Sequence, residues 1–303
     1  MKGLLLYPLL IVIAASSYGI LSTIVKVAMS AGFTSAEAIT SQYVIGFLLA
    51  ITLFIATQRK LPNMTKEGWK TVIIAGIFTG CTGIVYGESL NYLPASLAVV
   101  MLFQFTWIGT FLDCFFKRRL PTRIELISLT ILFVGTILSA GVLDTDLSNI
   151  HWKGWVFGLL AALSFALTLQ YNSRQVDGVT TISRMTIMSF VALVVTSVFL
   201  APEIVWNGTL FTEDLWQYGL LLGTFGIILP ILLFAIAAPK VGGAMTSILS
   251  AMELPVAVTV SVIVLNEALT MIQVSGIILV IFGMILPTYL SMKKQPALAK
   301  STS

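Results

Sequence analysis

Charge is scarce in this chain. Of 303 residues only 10% are charged, 17 Lys+Arg against 13 Asp+Glu, while 57% are hydrophobic. A soluble domain carries about 25% charged residues, and a folded chain of this size must still coat a large polar surface. The shortage excludes a water-soluble globule, a disordered chain and a single-anchor receptor with a soluble ectodomain. A polytopic membrane protein remains.

Other shortages narrow the chemistry. Histidine occurs once, at His151 in a loop, so no His/Cys/carboxylate cluster for zinc exists. Cysteine occurs twice, at Cys81 and Cys114, both inside apolar runs, which excludes a disulfide framework. No cofactor is expected. An intramembrane enzyme needs paired acids, a metal or a nucleophile with its base at membrane depth, and that constellation is missing. The sequon Asn207-Gly208-Thr209 is short enough to arise by chance.

What is abundant is long apolar runs. A bilayer core of about 30 Å needs about 20 apolar residues per helix. The pattern predicts ten helices, at 4–28, 37–57, 69–90, 95–116, 124–142, 153–173, 184–202, 215–237, 244–265 and 270–291. The runs are continuously apolar, which excludes the alternating strands of a β-barrel. The first run follows Lys2 and contains Ala14-Ala15-Ser16, yet continues to Val25 without a polar cleavage region, unlike a signal peptide. With the N-terminus cytoplasmic, the inner segments hold fifteen basic residues and the outer ones only Lys26 and Lys153. The positive-inside bias therefore predicts a cell-membrane protein with both termini inside.

The chain reads as two halves, 1–148 and 149–303. Sliding one on the other superposes Ala95 on Ala244 and Leu120 on Leu269, and Ser17-Tyr18-Gly19 parallels Ser164-Phe165-Ala166. Phe133-Val134-Gly135 likewise parallels Ile281-Phe282-Gly283. Five helices per half is an odd number, so the second half must lie inverted. The turn after the fourth helix is basic (Lys117-Arg118-Arg119), whereas that after the ninth carries Glu267, as opposite membrane sides demand. The fold class is all-α, ten transmembrane helices in two inverted five-helix repeats, an architecture of secondary transporters.

Leu93-Pro94-Ala95-Ser96-Leu97-Ala98, and Leu265-Asn266-Glu267-Ala268-Leu269 followed by Gly276 and Gly283, resemble the EamA family of the drug/metabolite transporter superfamily. The resemblance spans nearly the whole chain. It implies a ten-helix carrier with a central cavity lined by helices 1, 3, 4, 6, 8 and 9, exporting small metabolites by alternating access. The chain departs from the family's first-half acidic turn, having Lys117-Arg118-Arg119 there.

Charge at mid-bilayer costs roughly 2.5–3.5 kcal/mol or more and marks function. Glu253 is such a residue, and Gln104 is its repeat counterpart, expected to face it across the symmetry axis. Thr246, Ser250 and Glu253 form a polar stripe at helical spacing, and Pro255 frees a backbone carbonyl one turn earlier. Trp107 shares a face with Gln104 and is expected to lie deep. These five, Glu253, Gln104, Trp107, Ser250 and Thr246, are the candidate substrate-binding or coupling residues, with interhelical packing as the competing role. Lys26 and Glu88 are candidates for an outer gate, and Asp113 beside Lys117 reads as a solvated pair. Two stripes, Gly76/Gly80/Gly83/Gly87 and Gly219/Gly223/Gly226, predict close helix approach.

Few charges in an apolar, aromatic cavity favour a neutral or zwitterionic small-molecule substrate such as an amino acid, with proton or cation coupling through Glu253. A small-multidrug-type exporter is the alternative, but it calls for an acid in the first helix, where Lys26 stands instead. No nucleic-acid partner is expected.

Overall fold

The computed structural model describes residues 2–58, 60, 62–93, 95–140, 151–200, 203–265 and 269–301. Pro94, Asn266, Glu267, Ala268 and the boundary at 148/149 lie outside the described residues. The described secondary structure is helical: α1 Lys2–Ser30, α2 Ser35–Thr57, α3 Lys66–Leu90, α4 Ala95–Phe103, α5 Phe105–Phe116, α6 Arg123–Ser139, α7 Trp152–Asn172 and α8 Thr181–Phe199. Two short turns, α9 Glu203–Trp206 and α10 Thr209–Thr212, precede α11 Leu215–Gly223. Then come α12 Leu229–Val241, α13 Gly243–Leu249, α14 Glu253–Leu265 and α15 Met271–Ser301. Eight helical stretches are long and apolar enough to cross a membrane, while α6 has 17 residues and the apolar part of α15, Met271–Pro287, is also shorter.

Helix starts are set by caps that the apolar pattern did not reveal. Thr34 and Glu37 form a capping box at α2, as do Thr122 and Glu125 at α6. Thr65 accepts from the Gly68 N–H and Thr180 from the Ser183 N–H, so α3 and α8 begin three residues before the predicted starts at 69 and 184. Arg184 consequently sits inside α8 and not ahead of it.

Three of the long apolar stretches are interrupted. At Gln104 the helix slips between α4 and α5. A 3₁₀ turn, Ser250–Met252, separates α13 from α14, one turn before Pro255, which cannot donate to the Ala251 carbonyl. A π segment, Thr224–Ile228, joins α11 to α12, with Pro230 behind it. In π register the Phe225 carbonyl would need the missing N–H of Pro230. The Ser17 hydroxyl of α1 donates to it instead.

That bond has a twin. The Ser164 hydroxyl of α7 donates to the Phe78 carbonyl of α3 at 3.0 Å. Ser17 and Ser164 are separated by the same interval as Phe78 and Phe225, and each bond crosses between the halves. Packing follows the same exchange. α3 lies on α7 as α12 lies on α1, and α8 lies on α3 as α2 lies on α11. α6 pairs with α15, and α2 with α8.

The glycines permit this closeness. A Cβ at Gly76 would stand 2.9 Å from the Met188 carbonyl, and one at Gly223 would stand 2.8 Å from the Gly46 N. Gly276 and Gly283 of α15 lie against Ser139 and Ile131 of α6, so these helices run antiparallel, and Tyr7 of α1 lies with Asp177 and Lys240 at one end of the molecule. The basic loops gather there: Ser183 and Thr180 donate to Gln58 Oε1 at 2.8 and 2.5 Å, and the Arg174 guanidinium lies 5.1 Å from the Phe116 ring centroid. Gly135→Leu is expected to overpack the α6–α15 seam, where a Cβ already lies 2.9 Å from the Val280 N, and to destabilise by about 1–3 kcal/mol. Thermal unfolding of the detergent-solubilised protein checks this.

Candidate functional site

Glu253 is the first residue of α14, directly after the 3₁₀ turn. Its side chain is half-buried, and Oε2 is shielded from solvent without a hydrogen-bond partner among the described residues. α1 presses on this point: a Cβ at Gly19 would stand 2.9 Å from Val256 Cβ and would also meet the Glu253 carbonyl. The Tyr18 and Tyr86 rings lie within electrostatic reach of the carboxylate. Tyr18 in turn packs on Phe165 at 5.7 Å and Phe234 at 6.0 Å, and Phe105 meets Phe165 edge-on at 4.7 Å. An acid thus borders an aromatic cluster built from α1, α5, α7 and α12.

The other candidates fall differently. Gln104 donates to the Val100 carbonyl at 2.9 Å and accepts from Trp107 Nε1 at 2.6 Å. Its hydrogen bonds are local, and none reaches Glu253. Trp107 is 39% exposed and meets Phe111 edge-on at 6.1 Å. Thr246 and Ser250 are fully buried. The Ser250 hydroxyl donates to the Thr246 carbonyl at 2.8 Å, and Thr246 Oγ1 has no partner. They prolong the stripe from Glu253, but as part of the packed interior.

Near the other end, Glu88 accepts from Asn91 Nδ2 at 3.0 Å and the Lys26 carbonyl accepts from Ser30 Oγ at 2.9 Å. Sequence reasoning missed Tyr18, Tyr86, Phe165 and Phe234. Tyr18 and Phe165 were visible as equivalent positions in the two repeated serine motifs.

Asp113 corrects its expectation. It is 2% exposed, not a solvated member of a pair, and binds Lys117 at 2.8 Å and Arg119 at 2.9 Å. Arg119 also reaches Glu125 at 2.8 Å. The Glu125 and Asp113 carboxylates hold the guanidinium in its charged form, pushing its pKa up. The Lys117 ammonium borders Gly242, whose φ of +87° makes the turn between α12 and α13 and suits only glycine.

The two interrupted helices meet unequally. At the basic end α5 packs on α13, whereas α4 and α14 make no comparable contact at the other end. α7 likewise touches α12 and α13 without an equally close α1 contact to α3 or α4. α3 from Cys81 to Glu88 is only half-buried, as are Val256, Ala257 and Val258 of α14. The bundle is closed at the basic end and looser at the opposite one.

A helical membrane bundle of two interlocking halves around broken helices and a lone acid has the form of a carrier. The model of the EamA-like transporter family matches residues 5–141 and again 152–289. The chain belongs to the EamA-like transporter family, within the drug/metabolite transporter superfamily, and is a multi-pass membrane transporter with two inverted family repeats. A crystal structure of another protein superposes with a TM-score of 0.73 at 13% identity, covering 95% of this chain and 98% of that one, a likeness of fold alone. No curated protein sequence matches the chain.

Asp113 is buried, but its partners Lys117 and Arg119 are 54% and 31% exposed, and Arg119 keeps Glu125. Asp113→Ala should therefore cost about 1.5–3 kcal/mol, the worth of a charge-assisted hydrogen bond. Glu67→Ala, in an exposed pair with Lys70, should change stability by less than about 1 kcal/mol. Unfolding curves of the two variants in one detergent compare them.

Proposed function

We propose that the protein is a ten-span secondary transporter exporting small neutral or zwitterionic metabolites, such as amino acids, by alternating access. α6 and α15 complete the ten spans with the eight longer helices, and the repeats divide the chain at about 148/149. Both termini are cytoplasmic, because the basic end holds them and basic loops stay inside. The looser end is then the outer one, and the described state is open outward.

The observation that carries this reading is the unpaired Glu253 carboxylate at a helix break beside Tyr18. A broken helix offers backbone groups to a ligand at mid-depth, and the tyrosine and phenylalanine rings offer a face for an apolar or ammonium-bearing substrate. With no ion pair among the described residues, the acid is free to exchange a proton or cation for substrate as the bundle rocks. Lys26 and Glu88 flank the outer mouth, and closing it would bring α1 and α3 together. Gln104 and Trp107 serve the helix break, and Thr246 and Ser250 line the path inward from Glu253.

A metabolite-release screen in cells with and without the protein identifies the substrate. In proteoliposomes, Glu253→Gln is then expected to abolish pH-driven flux, a loss of at least about tenfold, while the protein stays folded. Flux with unchanged size and pH dependence would remove Glu253 from the mechanism.

A further inference from the structure

A second polar feature lies away from Glu253, at the basic end. A cleft of about 370 Å³ opens between α1, α8 and α12, lined among others by Tyr7, Gln175, Asp177, Thr181, Arg184 and Lys240. Arg184 is only 4% exposed. Its two terminal nitrogens donate to the Arg174 carbonyl at 3.1 Å and the Tyr171 carbonyl at 2.7 Å. Both acceptors are neutral. A guanidinium has five N–H donors, and Nε has no partner among the described residues.

Burying a cation without a counter-ion is expensive. Arg184 forms no ion pair with any described carboxylate, Asp177 of the same cleft included. Its position adds to the field. Thr180 caps α8, so the positive end of that helix dipole faces the same space through Thr181. Lys240, in the last turn of α12, brings a second cation and is itself exposed and outside any described ion pair. A buried guanidinium, an ammonium and a helix N-terminus thus surround one cleft.

We propose that this cleft binds a phosphate-bearing anion at the cytoplasmic membrane surface. Basic pockets between membrane helices on that side suit acidic headgroups, and Arg matches phosphate oxygens bidentately. Asp177 sets the preference within the class. Its negative charge in the cleft disfavours a doubly charged free phosphate and favours a singly charged phosphodiester, as in an anionic glycerophospholipid. The site lies apart from Glu253, and its occupancy does not depend on what is transported.

The full-length protein in neutral detergent is titrated with phosphatidylglycerol, phosphatidylcholine or inorganic phosphate, with bound anion read by native mass spectrometry. Phosphatidylglycerol should bind saturably and more tightly than phosphatidylcholine. K240Q and R184Q should each weaken binding about fivefold or more, whereas R123Q, at an exposed basic residue elsewhere on the same end, should not. Competition by inorganic phosphate would assign the site to soluble phosphates as well, and its absence would assign it to lipid. Either supports an anion site. If R184Q does not fold, K240Q decides by the same criterion. No saturable binding, equal binding by the variants and wild type, or an equal loss in R123Q would overturn the proposal.

Discussion

Every backbone polar group in a bilayer must find its partner within the protein, because lipid tails offer none. The rest of this structure depends on that constraint. An unbroken helix satisfies it alone but is chemically inert. The chain departs from regular helix at Gln104, at Thr224–Ile228 and at Ser250–Met252, and the first two departures have a visible side-chain repair. The Gln104 amide turns back to the Val100 carbonyl, and Ser17 reaches the Phe225 carbonyl. At the third, Glu253 begins the next helix with a carboxylate oxygen left unpaired. Glu253 is thus the polar group at these breaks that repair leaves unused, which is why the proposed transport reading rests on it.

Much of the architecture was legible in the sequence because bilayer thickness and helical rise fix how long an apolar run must be. The apolar runs fold as helices and the glycine stripes as close contacts between them. Helix starts were less legible, since Thr65 and Thr180 cap from outside the apolar pattern. The site was legible only where burial conflicts with charge. Glu253 conflicts with its surroundings and stood out. For Trp107 position along the helix gave depth but not azimuth, and the fold leaves it partly exposed. Asp113 was misjudged for a related reason: its partner Arg119 lies beyond the helix end, where spacing rules do not reach. Tyr18 and Tyr86 passed unnoticed because a tyrosine in an apolar run reads as hydrophobic filler until the fold sets a carboxylate beside it.

Symmetry and its violation divide the labour. The outer pairs, α6 with α15 and α2 with α8, join equivalent helices of the two halves, and the α6–α15 seam is tight at Gly135, Gly276 and Gly283. The interrupted helices pack closely on each other only at the basic end, where Asp113, Lys117, Arg119 and Glu125 form their ion pairs near the glycine turn at Gly242. These ion pairs brace the turn between α5 and α6 within the first half, while the glycine seam between α6 and α15 joins the two halves.

The twin hydrogen bonds from Ser17 to Phe225 and from Ser164 to Phe78 carry a consequence for assembly. Each donor sits in one half and its acceptor in the other, so neither half closes its own valences. A five-helix unit standing alone would hold a serine hydroxyl and a carbonyl that cannot meet, and a second unit inserted in the same sense would present them at the wrong depth. Only two units threaded through the membrane in opposite senses complete both bonds. The fused chain therefore works as a permanently tethered antiparallel dimer, in which the covalent connection fixes a stoichiometry and an orientation that separate units would have to find by collision.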